Sequence, residues 1–399
     1  VDDVILTFLR SEEAFALRRE HAAPPGSPEP DPVRLVAELR RGLDGERARA
    51  LTTQILLERR AHAKFDDPGR LLFERVALQQ ATSPGIARWR AALPPAGSRV
   101  VDLGCGLGAD AMAFRRAGHW IVAVDRDPDR AALARHNVQA DRASDAAATP
   151  VRAAIAVVGD AAHLPAHGDV LFVDPDRRTE RGRVFRLADA SPGPEDIAPL
   201  FGRFATVLVK APPALPDEEI PPDADVHFLS EGGECREAML RFGEGVHPGR
   251  RRAVLVETGE FLDADDGGQA PVAGPGAFLL DPDPALRRAG GVGVLAARLD
   301  AGRVSAGATY LFADAPCPDR WARSYRVRDV FPFRERDWKR RLAEDPPREL
   351  IVKQRGVGVE ESRIRATAPR AAGGPRLALV LWADGPKRVA CLCEPVDPR

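Results

Sequence analysis

A glycine-rich turn between two apolar runs constrains this chain more than any other feature. Arg99-Val-Val-Asp102-Leu-Gly104-Cys105-Gly106-Leu-Gly108 is followed by Ile121-Val-Ala-Val-Asp125. Each apolar run leads to an acid, and a helix-length segment separates them. This is the pattern of the first βαβ unit of a nucleotide-binding sheet. Glycines in the turn permit positive φ and let the backbone approach a ligand closely. Asp125 ends the second predicted strand, where an acid accepts hydrogen bonds from ribose hydroxyls.

The glycine spacing alone leaves two cofactors open. Gly104-Cys-Gly106-Leu-Gly108-Ala109 fits the dinucleotide pattern G-x-G-x-x-G/A. Asp102-x-Gly104-x-Gly106-x-Gly108 fits equally the D-x-G-x-G-x-G loop that holds S-adenosylmethionine (SAM). Asp102 favours SAM, because an acid before the first glycine can hold the ammonium of a methionine moiety, whereas it repels a pyrophosphate. A bare βα turn leaves the Asp102-to-Asp125 spacing unexplained. Cys105 and Arg126 flank these positions and join the candidate cofactor-binding set.

The chain is long enough for two or three domains, with 399 residues of which 44% are apolar. Its net charge of −1 does not by itself announce a nucleic-acid partner. The five cysteines, Cys105, Cys235, Cys317, Cys391 and Cys393, form no C-x-x-C pair, which predicts a reducing, cytoplasmic setting and no bound metal. There is no signal-peptide pattern and no apolar run near membrane-spanning length, so no membrane partner is expected. Oligomeric state is not readable. The basic residues are 53 Arg and only 5 Lys, a codon-composition bias that removes weight from any choice of Arg over Lys.

Helical spacing of Leu35, Leu39, Leu51, Ile55, Leu72 and Val76 predicts a helical N-terminal region over 1–92, broken by the proline-rich stretch Pro24–Pro32. From 93 to 262, apolar runs at 99–103, 121–125, 154–158, 169–174, 205–210, 226–229 and 252–257 alternate with helix-like segments. They predict an α/β domain with a doubly wound, Rossmann-like, seven-stranded sheet. A Gly-, Asp- and Pro-rich stretch at 263–276 reads as a linker. Beyond it, 276–399 reads as a small α+β domain: a helix over 284–299, strands at 325–329, 349–353, 377–382 and 388–393, and a helix near 335–343. Residues 319–376 carry 16 Arg/Lys against 9 Asp/Glu, a local excess suited to a nucleic-acid backbone or to plain solvation.

Ligands of doubly wound sheets sit at the carboxyl ends of the strands. After the third predicted strand, Asp160 is placed to reach an adenine amino group and Ala161 to offer backbone. After the fourth comes Asp174-Pro175-Asp176-Arg177-Arg178. Enzymes that methylate exocyclic amines carry D/N-P-P-Y/F/W here: the acid and the proline carbonyl orient the amine, and the aromatic stacks on the base. This chain keeps Asp174-Pro175 but has Asp176 and Arg177 in place of proline and an aromatic. Asp174, Pro175, Asp176 and Arg177 are therefore the candidate catalytic residues, with Asp174 also facing the cofactor. Arg177 is suited to stacking on a base or gripping phosphate. Ser230, Glu231, Glu234 and Glu237 are either pocket-lining residues or a charged hairpin face.

The order Gln80-Ala-Thr82-Ser-Pro84, Asp102 to Ala111, Val124 to Pro128 and Phe172 to Arg178 resembles bacterial class I SAM-dependent methyltransferases with a C-terminal THUMP-like domain. The likeness continues through Ser230 to Ala238, Gly276 to Pro284 and Val352-Lys353-Gln-Arg355-Gly356, and spans about 80–399. It implies SAM as cofactor and an RNA substrate, since THUMP domains bind RNA. The Thr-Pro element before the first strand also resembles that of trimethylguanosine synthase, a more distant relative, which implies that Thr82 and Pro84 lie near the cofactor. Two rivals remain at this point: a catalytically inactive RNA-binding module of methyltransferase fold, and a nicotinamide-dependent oxidoreductase.

Overall fold

The computed structural model describes residues 3–22, 27–141, 153–176, 178–179, 182–183, 189–264 and 268–396. They divide into two units: 1–224 with 239–246, and 225–238 with 247–399.

The first unit opens with six helices, α1 (Asp3–Leu9), α2 (Glu12–Glu20), α3 (Pro32–Leu39), α4 (Gly45–Ala61), α5 (Arg75–Gln80) and α6 (Pro84–Ala91). Their starts are written locally. Asp31, Asp44 and Ser83 accept backbone N–H bonds at the caps of α3, α4 and α6, and Pro32 and Pro84 occupy first-turn positions where no N–H is needed. Apolar side chains Leu35 and Leu39 of α3 and Leu51, Ile55 and Leu57 of α4 are buried in one core cluster. Buried polar side chains then fix loops to helices. Arg18 pairs with Glu58 and donates to the carbonyls of Pro68 and Leu71.

The sheet of this unit uses β1 (Arg99–Leu103), β2 (Trp120–Asp125), β3 (Ala154–Val158) and β4 (Gly168–Val173), with α7 (Ala109–Arg116) and α8 (Pro128–Ala140) as crossovers. A two-residue ladder, β5 (Arg178–Thr179) with β6 (Gly182–Arg183), and the short α9 (Pro194–Ile197) lead into β7 (Phe204–Ala211). The strand order is β7-β4-β1-β2-β3, and all four pairings are parallel. The chain winds outward from β1 through β2 to β3, then returns to place β4 on the other flank of β1. That reversal opens a crevice at the carboxyl ends of β1 and β4, the ligand position of such sheets. Asn137 of α8 steadies it: its side chain bonds both the N–H and the carbonyl of Leu72 and donates to the carbonyl of Leu107 in the glycine turn.

The second unit contains β8 (Asp225–Glu231), the start of β9 (Glu234–Gly243), β10 (Arg251–Leu255) and β11 (Phe261–Asp263), so the strands expected at 226–229 and 252–257 belong here. β8 and β10 are parallel, and β11 is antiparallel to β10. A second sheet, β13-β14-β12-β15-β18-β17-β16, uses β12 (Phe278–Pro282), β13 (Gly302–Arg303), β14 (Leu311–Ala313), β15 (Ala322–Pro332), β16 (Glu349–Arg355), β17 (Arg376–Asp384) and β18 (Lys387–Pro395). Four helices accompany it, α10 (Pro284–Ala289), α11 (Val292–Arg298), α12 (Glu335–Glu344) and α13 (Glu361–Thr367). β17 shows the period of two: Leu377, Leu379 and Leu381 join the core of Trp338, Leu342 and Ile364, while Ala378, Val380 and Trp382 join that of Tyr310, Phe312 and Cys391. Among the described residues, no helix is long and apolar enough to cross a membrane.

Candidate active site

The site is assembled from strand ends. Asp102 lies on β1 just before the glycine turn and is almost fully buried, and neither of its carboxylate oxygens has a hydrogen-bond partner. Burial, and then the neighbouring carboxylates of Asp110 and Asp174, push its pKa well above the usual aspartate range. Asp125 ends β2 and is already in use. Its Oδ2 accepts the N–H of Gly106 at 2.9 Å, and its Oδ1 accepts that of Asp127 at 3.0 Å, tying the turn to the start of α8.

Gly104 closes the crevice. Its φ is +82°, and a Cβ there would lie 2.5 Å from the carbonyl oxygen of Asp174. Gly106, at φ +54°, has no atom within 4 Å of the place a Cβ would take, so the turn faces open space on that side.

Asp174 follows β4 and donates its backbone N–H to the carbonyl of Leu103. Its Oδ2 accepts a hydrogen bond from Lys210 Nζ at 2.8 Å. The same ammonium lies 3.2 Å from Thr82 Oγ1, which donates to Asp110 Oδ2 at 2.7 Å. Asp110 in turn pairs with Arg90, whose guanidinium stacks 4.4 Å from the centre of the Phe172 ring. Lys64 supports this chain from behind: its ammonium caps α5 through the carbonyls of Leu78, Gln79 and Ala81, fixing the segment that leads into Thr82.

Asp160 and Ala161 follow β3, and Pro175 and Asp176 follow β4. Asp160 is exposed and Ala161 buried, next to Gly159, whose N–H donates to the carbonyl of Asp125. Asp176 exchanges both backbone hydrogen bonds with Ser191, and Ser191 Oγ accepts from Arg126 Nη1 at 3.0 Å. Pro175 is buried, and Arg177 lies outside the described residues. Ser230, Glu231, Glu234 and Glu237 belong to the second unit, where Ser230 Oγ donates to Asp283 Oδ2 at 2.6 Å.

The donor set fits SAM: an orphaned, buried carboxylate at Asp102 for an ammonium, an acid at the end of β2, and open space against Gly106. Comparison with known proteins decides the family. The chain is 32% identical, over 86% of its own length and 94% of the relative's, to an uncharacterized S-adenosylmethionine-dependent methyltransferase of Mycobacterium tuberculosis. The chain belongs to the SAM-dependent methyltransferases. The same relative in a second M. tuberculosis strain gives the same figures. A crystal structure of a candidate methyltransferase from Porphyromonas gingivalis W83 shares the fold, with a TM-score of 0.79 at 20% identity, covering 97% of this chain and 99% of that one. Residues 322–395 match the family described as THUMP domain-like.

SAM is the cofactor of this methyltransferase, which sets aside the dinucleotide reading of the glycine turn. Burial, then the carboxylates of Asp102 and Asp125, push the Cys105 thiol well up, away from the reactive thiolate. Sequence reasoning missed Lys210, Asp110 and Arg90 as members of the site. Lys210 carried a usable signal, since Val207-Leu-Val-Lys210 is an apolar strand ending in a charge, like the strands that lead to Asp102, Asp125 and Asp174.

Proposed function

We propose that this methyltransferase transfers the methyl group of SAM to a nitrogen of an RNA base. The observation that carries this reading is the place of Asp174: at the carboxyl end of β4, against Gly104 of the glycine turn, with its carboxylate held by Lys210. SAM supplies an activated methyl group on a sulfonium, so the protein's task is positioning, which in well-oriented reactions supplies ~7–11 kcal/mol. Asp174 and the carbonyl of Pro175 accept N–H bonds from the base and aim its lone pair. Lys210 fixes the direction of the Asp174 carboxylate. As the N–C bond forms and the C–S bond breaks, the base nitrogen gives up a proton to the carboxylate of Asp176. The ribose hydroxyls of the cofactor are assigned to Asp125, its ammonium to Asp102 and its adenine amino group to Asp160.

The THUMP-like match at 322–395 and the excess of 16 basic over 9 acidic residues in 319–376 support RNA as the acceptor. The test is transfer of labelled methyl from SAM to total RNA, protein and metabolite fractions of a strain lacking the protein. Label in RNA, recovered on a base nitrogen after nuclease digestion, is expected. Label confined to the protein fraction overturns the reading.

A further inference from the structure

We infer that the second unit carries a phosphate-binding site formed by Lys353, Arg355 and Arg287 around Asp281, with Arg323 at its side, and that its ligand is a phosphate of the RNA substrate. The inference rests on the proposal that the acceptor is RNA.

One buried carboxylate here receives three cations. Asp281 is 5% exposed, and its Oδ2 accepts from Lys353 Nζ at 2.8 Å. Its Oδ1 lies 3.3 Å from both Arg355 Nη2 and Arg287 Nη1. Among the described residues none of the three forms an ion pair with a second carboxylate. A structural ion pair needs one cation, and each further one adds like-charge repulsion. Asp283 adds a second negative charge near Arg287, and the positive excess that remains around Asp281 is matched to an anion.

The layering is that of a mouth over a floor. The carboxylate is sealed below, while the side chains of Arg287, Lys353 and Arg355 remain 20%, 24% and 32% exposed. A guanidinium has five donors and an ammonium three, so each of these side chains keeps N–H groups that Asp281 does not use. Arg355 is braced 5.0 Å from the centre of the Tyr310 ring and by a bond from Nη1 to the carbonyl of Gln354 at 3.0 Å, which fixes the plane of its guanidinium. Arg323 adds a fourth charge. It stands directly opposite Asp281 in the β12–β15 ladder, hence on the same face, is exposed, and makes no ion pair among the described residues. Gly233 makes room for it, because a Cβ there would lie 2.7 Å from Arg323 Nη2.

The test is fluorescence anisotropy of the full-length protein with oligouridine, with and without a 5′-phosphate, across a salt series, with inorganic phosphate as competitor. Arg323→Gln removes a cation that holds nothing together, and Lys353→Met removes one from the cluster. Each is expected to weaken binding and to flatten the slope of log K against log salt by about 0.7 for each phosphate that is no longer neutralised. A response confined to the 5′-phosphorylated oligomer identifies a terminal phosphate, and an equal response identifies internal phosphodiesters. Either result supports the site. Wild-type affinity and slope in both variants, with melting temperatures showing them folded, overturn it. Methyl transfer by the same preparations separates the two ideas. RNA labelled by protein whose variants bind like wild type defeats this site alone. Label only in protein, with phosphate binding still dependent on Arg323 and Lys353, defeats RNA methylation alone.

Discussion

Lys210 Nζ and Asp174 Oδ2 lie 2.8 Å apart, joining the ends of adjacent parallel strands β7 and β4 where the glycine turn meets the sheet. Lys210 is 8% exposed at its side chain and Asp174 27%, so the cation is the buried partner and the carboxylate the one that reaches the crevice. Lys210→Met keeps the length of the side chain and removes the charge. Asp174 then loses its fixed direction, and a misplacement of about 1 Å can cost ~100-fold in rate. The expected result is a fall of that order in kcat with SAM affinity nearly unchanged, read by single-turnover kinetics beside calorimetry. Wild-type kcat in the variant would remove Lys210 from the mechanism.

Asp174→Ala removes the acceptor itself. Methyl transfer is expected to fall ~100-fold or more, the order expected when a group that positions the nucleophile is lost. SAM binding should persist, because the main-chain approach of Gly104 to the Asp174 carbonyl does not depend on the side chain. Retained activity would contradict the assignment.

Asp125→Ala strips acceptors from two backbone N–H groups, those of Gly106 and Asp127, along with the proposed ribose contact. Hydrogen bonds to a charged group contribute about 1.5–3 kcal/mol, which corresponds to roughly tenfold to hundredfold in affinity. Calorimetry should show SAM binding weakened by that factor. Unchanged affinity would leave Asp125 a purely structural cap.

Gly104→Ala faces two obstacles at once. The φ of +82° is strained for any residue with a Cβ, at about 1–3 kcal/mol, and the added atom meets a main-chain carbonyl that has no rotamer to escape through. The melting temperature should drop and SAM binding should be lost together. A variant that melts and binds like wild type would show that this close approach is not required.

The sheet was legible because its strands are unbroken apolar runs, as strands covered on both faces must be, and because strand-end acids stand out against them. Asp102, Asp125 and Asp174 could be placed at one edge on that ground alone. Their partners could not. Lys210 is 36 residues from Asp174, and only the outward winding that lays β7 beside β4 makes their strand ends neighbours. The motif around Thr82 predicts a place beside the cofactor, while its bonds to Asp110 and Lys210 follow from packing that no local pattern encodes. In the second unit, β12 escapes a sequence reading because its five residues end in Asp281-Pro282, which reads as a turn. The alternation of β17 is plain, since each of its faces feeds a different core.

The charge of Asp102 makes a prediction that separates cofactor binding from folding. Its folded pKa is raised above the unfolded value of about 3.9, by burial first and then by Asp110 and Asp174. Between the two values the folded state holds a proton that the unfolded state has released, so stability falls as pH rises from about 4 toward the folded pKa. Asp102→Asn cannot ionise. Without SAM, thermal melts across that range should show the variant losing less stability with rising pH than wild type. With SAM the advantage passes to wild type, because an ammonium beside Asp102 favours its carboxylate form. Wild type should therefore release a proton on binding, visible as a dependence of calorimetric heat on buffer ionisation enthalpy, and the variant should bind more weakly without that release. Parallel pH profiles for the two proteins, with equal proton release, would show that Asp102 neither titrates in the fold nor receives the ammonium.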